Sequence, residues 1–148
     1  KYLICSSYHF GVLSLEIKTD ATKSVIIILQ YYMSNIHIVR NYYSDIDAND
    51  INAACSIFAT NAVYIRGTQQ PLKGFDAIVD FYQNHRIIQS GNHIVPSIRM
   101  QNDTVFASGF FNGVLKDGNE VEVFFLDEFR FVDKKVVLRI TKFENREV

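Results

Sequence analysis

Apolar positions change their period along this chain, and the change marks where helices give way to strands. Ile36, Val39, Tyr43 and Ile46 recur at spacings of 3, 4 and 3, which is one face of a helix. Ser34 or Asn35 stands where the N-cap of that helix belongs. Asp47-Ala48-Asn49 is expected to end it. Asp50 then caps a second helix, with Ile51, Ala54, Cys55 and Phe58 on its apolar side and Asn61 as its breaker. Residues 62–66 read as a short strand closed by Gly67, and residues 68–74 as a loop. Phe75, Ile78, Val79 and Tyr82 mark a third helix that stops before Ser90-Gly91. From there the period is two. Residues 92–100, 105–115, 120–131 and 136–144 read as four antiparallel strands, separated by turns at Asn102-Asp103, Asp117-Gly118 and Asp133-Lys134-Lys135. Helices first and strands last predict an α+β fold.

The third of these strands carries the first chemical signal. Val121, Val123, Phe125, Asp127, Phe129 and Phe131 alternate onto one face, so one carboxyl group stands among five apolar side chains. A charge there must be paired, hydrogen-bonded or protonated, and such groups are candidates for function. Two-residue turns fix a register. Ser108 then lies opposite Asp127, Phe110 opposite Phe125 and Asn112 opposite Val123, while Ile140 faces Asp127 and Lys142 faces Phe125. A bulge would break these pairings. On this register Phe106, Phe110, Phe125, Phe129 and Phe131 line an inner face that also holds Asp127, Lys142, Ser108 and Asn112. His93 points to the same face, with Ile94, Pro96, Ile98 and Met100 on the other. The outer face collects Phe111, Leu115, Phe124, Leu126, Val137 and Phe143, an apolar patch expected to form a homodimer.

Composition narrows the class. With 15 basic and 16 acidic residues the net charge is -1, which gives no support for nucleic-acid binding. A hydrophobic content of 48% excludes wholesale disorder, and 2 Pro, 7 Gly and 2 Cys exclude collagen-like, linker-like and disulfide-rich classes. Cys5 and Cys55 read as free buried thiols, and the four His lack metal-ligand spacing, so no metal or cofactor is implied. The apolar run at residues 25–29 is far too short for a membrane span, and the expected location is the cytoplasm. Twelve Phe and 8 Tyr suggest a β-rich body with a ring-lined cavity or interface. Composition also shifts near residue 33. Residues 1–32 are expected to be an extension or a packing arm, and residues 33–148 the domain, with Met33 as the natural start.

Residues 33–148 resemble the nuclear transport factor 2-like superfamily, in particular its SnoaL-like and ketosteroid-isomerase-like branch. The resemblance rests on residues 42–50 (YYSDIDAND), 58–64 (FATNAVY), 74–78 (GFDAI) and 125–131 (FLDEFRF) before Val136-Val137. It implies a cone: a strongly curved antiparallel sheet packed around three N-terminal helices, a cystatin-like α+β barrel. It also implies a pocket inside and dimers through the outer sheet face. Ketosteroid isomerases use a general-base carboxylate and an oxyanion hole of a Tyr and a protonated Asp. By position the Tyr falls on Tyr42 and the Asp on Asp127. The base position holds Arg66, which cannot abstract a proton at neutral pH. The last-strand carboxylate of the polyketide cyclases and limonene-epoxide-hydrolase-like enzymes falls about at Lys142.

The resemblance therefore implies a pocket with Arg66 and Lys142 as cations, Tyr42 and Asp127 as donors to an oxygen, and His93 or His85 as a base. Such a site suits a small acidic or enolisable ligand. Two functions fit it. One is an isomerase, cyclase or lyase; the other is a non-catalytic dimeric module for ligand binding or association.

Overall fold

The structure, a computed structural model, describes residues 20–144. Residues 1–19 of the expected extension, with Cys5 and His9, lie outside that range. No glycine or proline interrupts the sequence between Gly11 and Gly67, and helix α1 uses that freedom. It spans Asp20–Asp47, 28 residues, so no N-cap forms at Ser34 or Asn35 and the helix passes through Met33 unbroken. The β-branched residues 25–28 cost a few tenths of a kcal/mol each, which lowers helix propensity without ending a helix that is already nucleated. No helix among the described residues is long and apolar enough to cross a membrane.

α1 stops as expected, and its ending places a functional side chain. Asn49 takes the left-handed conformation (φ 59°). The Asn49 N–H donates to the Ile46 carbonyl at 3.2 Å and the Asp50 N–H to the Asp45 carbonyl at 2.8 Å, a Schellman closure. Asp50 then caps α2 (Ile51–Cys55) by accepting from the Ala53 N–H at 3.0 Å. α2 is a single turn, shorter than the sequence suggests. Phe58 already belongs to strand β1 (Phe58–Arg66), pairing with Val136, so Asn61 sits within a strand rather than breaking a helix.

The remaining elements follow the expected order. β2 (Leu72–Lys73) is a short edge, α3 (Phe75–Asp80) runs into a π-helical turn at Phe81–His85, and four long strands follow: β3 (Ile88–Gln101), β4 (Thr104–Leu115), β5 (Glu120–Val132) and β6 (Lys135–Phe143). They form one curved six-stranded sheet in the order β2-β1-β6-β5-β4-β3. The expected sheet was antiparallel; the observed one is mixed, because β1 runs parallel to β6. It is open, with β2 and β3 at its edges. α1 packs its Val39, Tyr42, Tyr43 and Ile46 face into the concave side, where Val105, Val123, Phe129 and Phe131 are also buried.

β4, β5 and β6 lie within a residue of their expected spans, β3 starts at Ile88 rather than residue 92, and the register is shifted by one residue in two places. In the β4–β5 hairpin the Leu115 carbonyl accepts from Gly118, the Leu115 N–H donates to the Asn119 carbonyl, and Gly118 has φ 86°. This is a three-residue loop, a type I turn followed by a left-handed glycine, where a two-residue turn was expected. Ala107 therefore faces Asp127, and Phe111 faces Val123. Phe111 and Leu115 turn inward and Phe106, Ser108, Phe110 and Asn112 outward, the reverse of the sequence expectation. The β5–β6 turn is the two-residue turn expected, with Val132 paired to Lys135 and positive φ at Asp133 and Lys134. A bulge next to it, between Arg130 and Phe131 on the β5 side, then shifts β6 by one residue. Thr141, not Ile140, faces Asp127, and Lys142 faces Leu126 on the outer side. Strand β3 also carries a bulge between Ile94 and Ser97. It lets His93 face inward while Ile98 and Met100, on the far side of the bulge, also pack against the core.

Candidate functional site

Asp127 sits at the centre of the concave face with 2% of its surface exposed. The bulge in β6 brings Arg139 to it. Arg139 Nη2 lies 2.7 Å from Asp127 Oδ2, and Nε donates to Oδ1 at 3.3 Å. Tyr43 donates to Oδ2 at 2.7 Å, and the Thr141 hydroxyl donates to Oδ1. Every contact of this carboxyl group runs toward its oxygens, so it is held as the anion of an ion pair. The neutral, proton-donating Asp127 expected from the resemblance is not what these donors support.

Arg139 carries the network onward. Its Nη1 donates to both the Tyr42 and Tyr82 hydroxyls, at 2.7 Å for Tyr82, and the two hydroxyls lie 2.6 Å apart. Its guanidinium lies over the Tyr42, Tyr64 and Phe129 rings at 4.7, 4.5 and 4.9 Å. Tyr82 reaches this point because the π-helical turn inserts one residue, closed by the Arg86 N–H to the Phe81 carbonyl at 2.8 Å. Burial pushes the Tyr42 hydroxyl up to about 12, against the opposing pull of Arg139. Burial, reinforced by Asp127, also raises Tyr43. All these phenols keep their protons at neutral pH. Since one hydroxyl of the Tyr42–Tyr82 pair donates to the other, the second retains a proton for an oxygen placed in the pocket.

A second pair stands at the mouth of the cone. The Asp47 carboxylate, aimed by the closure of α1, accepts the His93 backbone N–H at 2.7 Å and faces His93 Nδ1 at 2.5 Å. A carboxylate accepts only, so the proton of this contact sits on Nδ1. The ring is fixed between Tyr43, Phe111 and Phe125, at centroid distances of 5.1, 4.8 and 5.5 Å.

Asp127, Arg139, Thr141, Tyr42, Tyr82 and His93 line one pocket of about 50 Å3, with Tyr43 and Asp47 behind them. Of the residues expected there, Tyr42, Arg66, His93, Phe125 and Asp127 do line it, and Phe129 is buried beneath. Ser108, Phe110, Asn112, Ile140 and Lys142 do not: the register shifts carry them to the outer face, where Lys142 pairs with Glu128 at 3.3 Å. His85 is exposed and pairs with Asp80 at 3.0 Å, away from the pocket. Asp80 is thereby engaged by His85 and Asn84, and Arg66 pairs with no carboxylate among the described residues. The arrangement also includes Asp47, Tyr82, Arg86, Arg139 and Thr141, which sequence reasoning did not single out. Arg139 alone had a legible signal, since a buried carboxylate on β5 calls for a cation on a neighbouring strand.

The SnoaL-like domain family matches residues 39–139, more than half of the chain, and the chain belongs to that family. Its fold is that of the nuclear transport factor 2-like proteins. It is similar to an NTF2-like protein of unknown function from Burkholderia pseudomallei K96243, with a TM-score of 0.68, 14% identity and coverage of 75% of this chain and 91% of that one. An LEH-like epoxide hydrolase of M. tuberculosis superposes with a TM-score of 0.68 at 12% identity, covering 77% and 85%. A hypothetical protein with a ketosteroid isomerase-like fold from Catenulispora acidiphila DSM 44928 gives 0.66 at 15% identity, covering 75% and 88%. At these identities the likeness establishes the fold. No curated protein matches the sequence.

Two outcomes test this interior. Arg139→Met and Asp127→Leu each strand one buried charge or its donors, and each is expected to lower unfolding free energy by about 3–5 kcal/mol. The double variant, followed by urea unfolding, is expected to lose clearly less than the sum. The second outcome concerns alkali. The Tyr42 hydroxyl ionises at about 10 when unfolded and about 12 when folded. The folded state thus binds more protons between these values, and stability is full below pH 10 and falls as pH rises toward 12. Urea midpoints from pH 9 to 11.5 are expected to show that fall, shallower in Tyr42→Phe.

Proposed function

We propose that this SnoaL-like domain binds a small acidic or enolisable molecule in its concave pocket and moves a proton on it, as an isomerase, cyclase or lyase. The observation that carries the reading is His93, held by Asp47, in the wall of a pocket that also holds Arg139-backed phenols. His93 Nε2 is the base, and Asp47 fixes its tautomer and orientation. The free proton of the Tyr42–Tyr82 pair stabilises the oxyanion that forms as the substrate loses its proton. Asp127 is a positioning residue, since it acts through Arg139. This assigns the base to β3 and α1, in place of the positions occupied by Arg66 and the neighbourhood of Lys142.

The second reading, a non-catalytic ligand-binding or association module, is favoured by the small size of the pocket, about 50 Å3. Solvent hydrogen exchange separates the two. A panel of small keto acids in D2O, followed by NMR, is expected to show enzyme-dependent loss of the proton beside the carbonyl. His93→Gln and Tyr42→Phe are each expected to slow it by about 10²–10³-fold. Saturable binding without exchange for any member of the panel would establish the second reading.

The outer face supports a homodimer in either case. Phe110 and Phe124 meet edge to face at 5.2 Å beside Leu126, and Phe110, Leu126 and Ile94 are exposed. Light scattering is expected to give twice the chain mass for the native protein and the single chain mass for Leu126→Glu. A native protein of single-chain mass removes the dimer.

A further inference from the structure

Three arginines and one aspartate line the pocket. Arg139 is neutralised by that aspartate. Arg66 and Arg86 are not neutralised: the ion pairs among the described residues join other groups, and these two side chains make none. Both are deeply buried, at 6% and 8% exposed. Arg66 Nη1 has no hydrogen-bond partner, although its guanidinium is fixed over the Phe81 and Phe143 rings at 5.3 and 4.8 Å. A buried guanidinium normally has its donors satisfied, because each unpaired one forfeits hydration without return. Here two rings hold the planar fork in place, and one buried donor of a residue that lines the pocket is left without a partner.

We infer that Arg66 and Arg86 clamp the carboxylate of a small organic acid, with the rest of the ligand against the Phe81, Phe111 and Phe143 rings. This rests on the pocket reading above and supplies the charge that reading lacks: His93 and the phenols can move a proton, but they do not select an acid. Two features favour a carboxylate over a phosphate. The space of about 50 Å3 holds roughly three or four water-sized groups, enough for a planar head group. The cations are planar forks set among rings, which match a carboxylate in shape and ask for less dehydration than a dianion.

Equilibrium binding tests this without any turnover, so failure of the proton-transfer reading leaves the outcome intact. Isothermal titration with benzoate, its neutral isostere benzamide and inorganic phosphate is expected to show saturable benzoate binding. Benzamide is expected to bind at least about tenfold more weakly, and phosphate likewise. Arg66→Met and Arg86→Met keep the aliphatic stem, and each is expected to weaken benzoate by about tenfold or more, whereas Lys142→Ala on the outer face leaves it unchanged. Equal affinity for benzamide and benzoate overturns the clamp, and so does preference for phosphate. Native benzoate affinity in both methionine variants also overturns it. If those variants do not fold, the wild-type contrast between benzoate and benzamide still decides.

Discussion

Arg139 and Asp127 meet across adjacent strands with side chains only 5% and 1% exposed, and the interior is organised around the cost of that burial. Two charges taken from water recover their hydration only when geometry is good and the remaining donors and acceptors are filled. Here Tyr43 and Thr141 complete the carboxylate, Tyr42 and Tyr82 complete the guanidinium, and three ring faces surround it. The partners come from α1, β1, the π-helical turn, β5 and β6. The ion pair thus ties the helical and sheet halves together at one point. It also explains the sorting of the aromatic residues, since tyrosines bring a hydroxyl to the centre and phenylalanines close the space around it.

The same interior treats its charges in two ways. Arg139 and Asp127 are matched. Arg66 and Arg86 are buried with no opposite charge among the described residues. A near-zero net charge over the whole chain therefore coexists with a concave surface of positive sign. Overall charge balance governs solubility, while the local imbalance governs what enters the pocket.

Most elements could be read from the sequence, because periodicity and turn residues act locally. The helix caps at Asn49 and Asp50, the three turns between the long strands and the spans of β4, β5 and β6 are where the pattern puts them. What could not be read was decided by single residues of register. An Asp-Gly pair announces a hairpin but not whether its loop has two residues or three, and the third residue moved Phe110, Ser108 and Asn112 to the outside. The bulge in β6 is invisible in the run Val136-Val137-Leu138, yet it replaced Lys142 by Arg139 and Thr141 at the centre. Tyr42, Asp127 and His93 were found because a buried polar group on an apolar face is legible from one strand or helix alone. Asp47 and Arg86 were not, because their importance comes only from what another element brings near them.

The bulge between Ile94 and Ser97 has a further consequence. It puts the residues just before it and those after it in opposite parity, while another shift, between Ile88 and Ser90, lies nearer the start of β3. The upstream stretch turns odd-numbered His93 to the pocket, and the downstream one turns even-numbered Ile98 and Met100 to the core. The extra residue is therefore what lets one edge strand supply both a polar ring to the pocket and apolar side chains to the core from the same concave side.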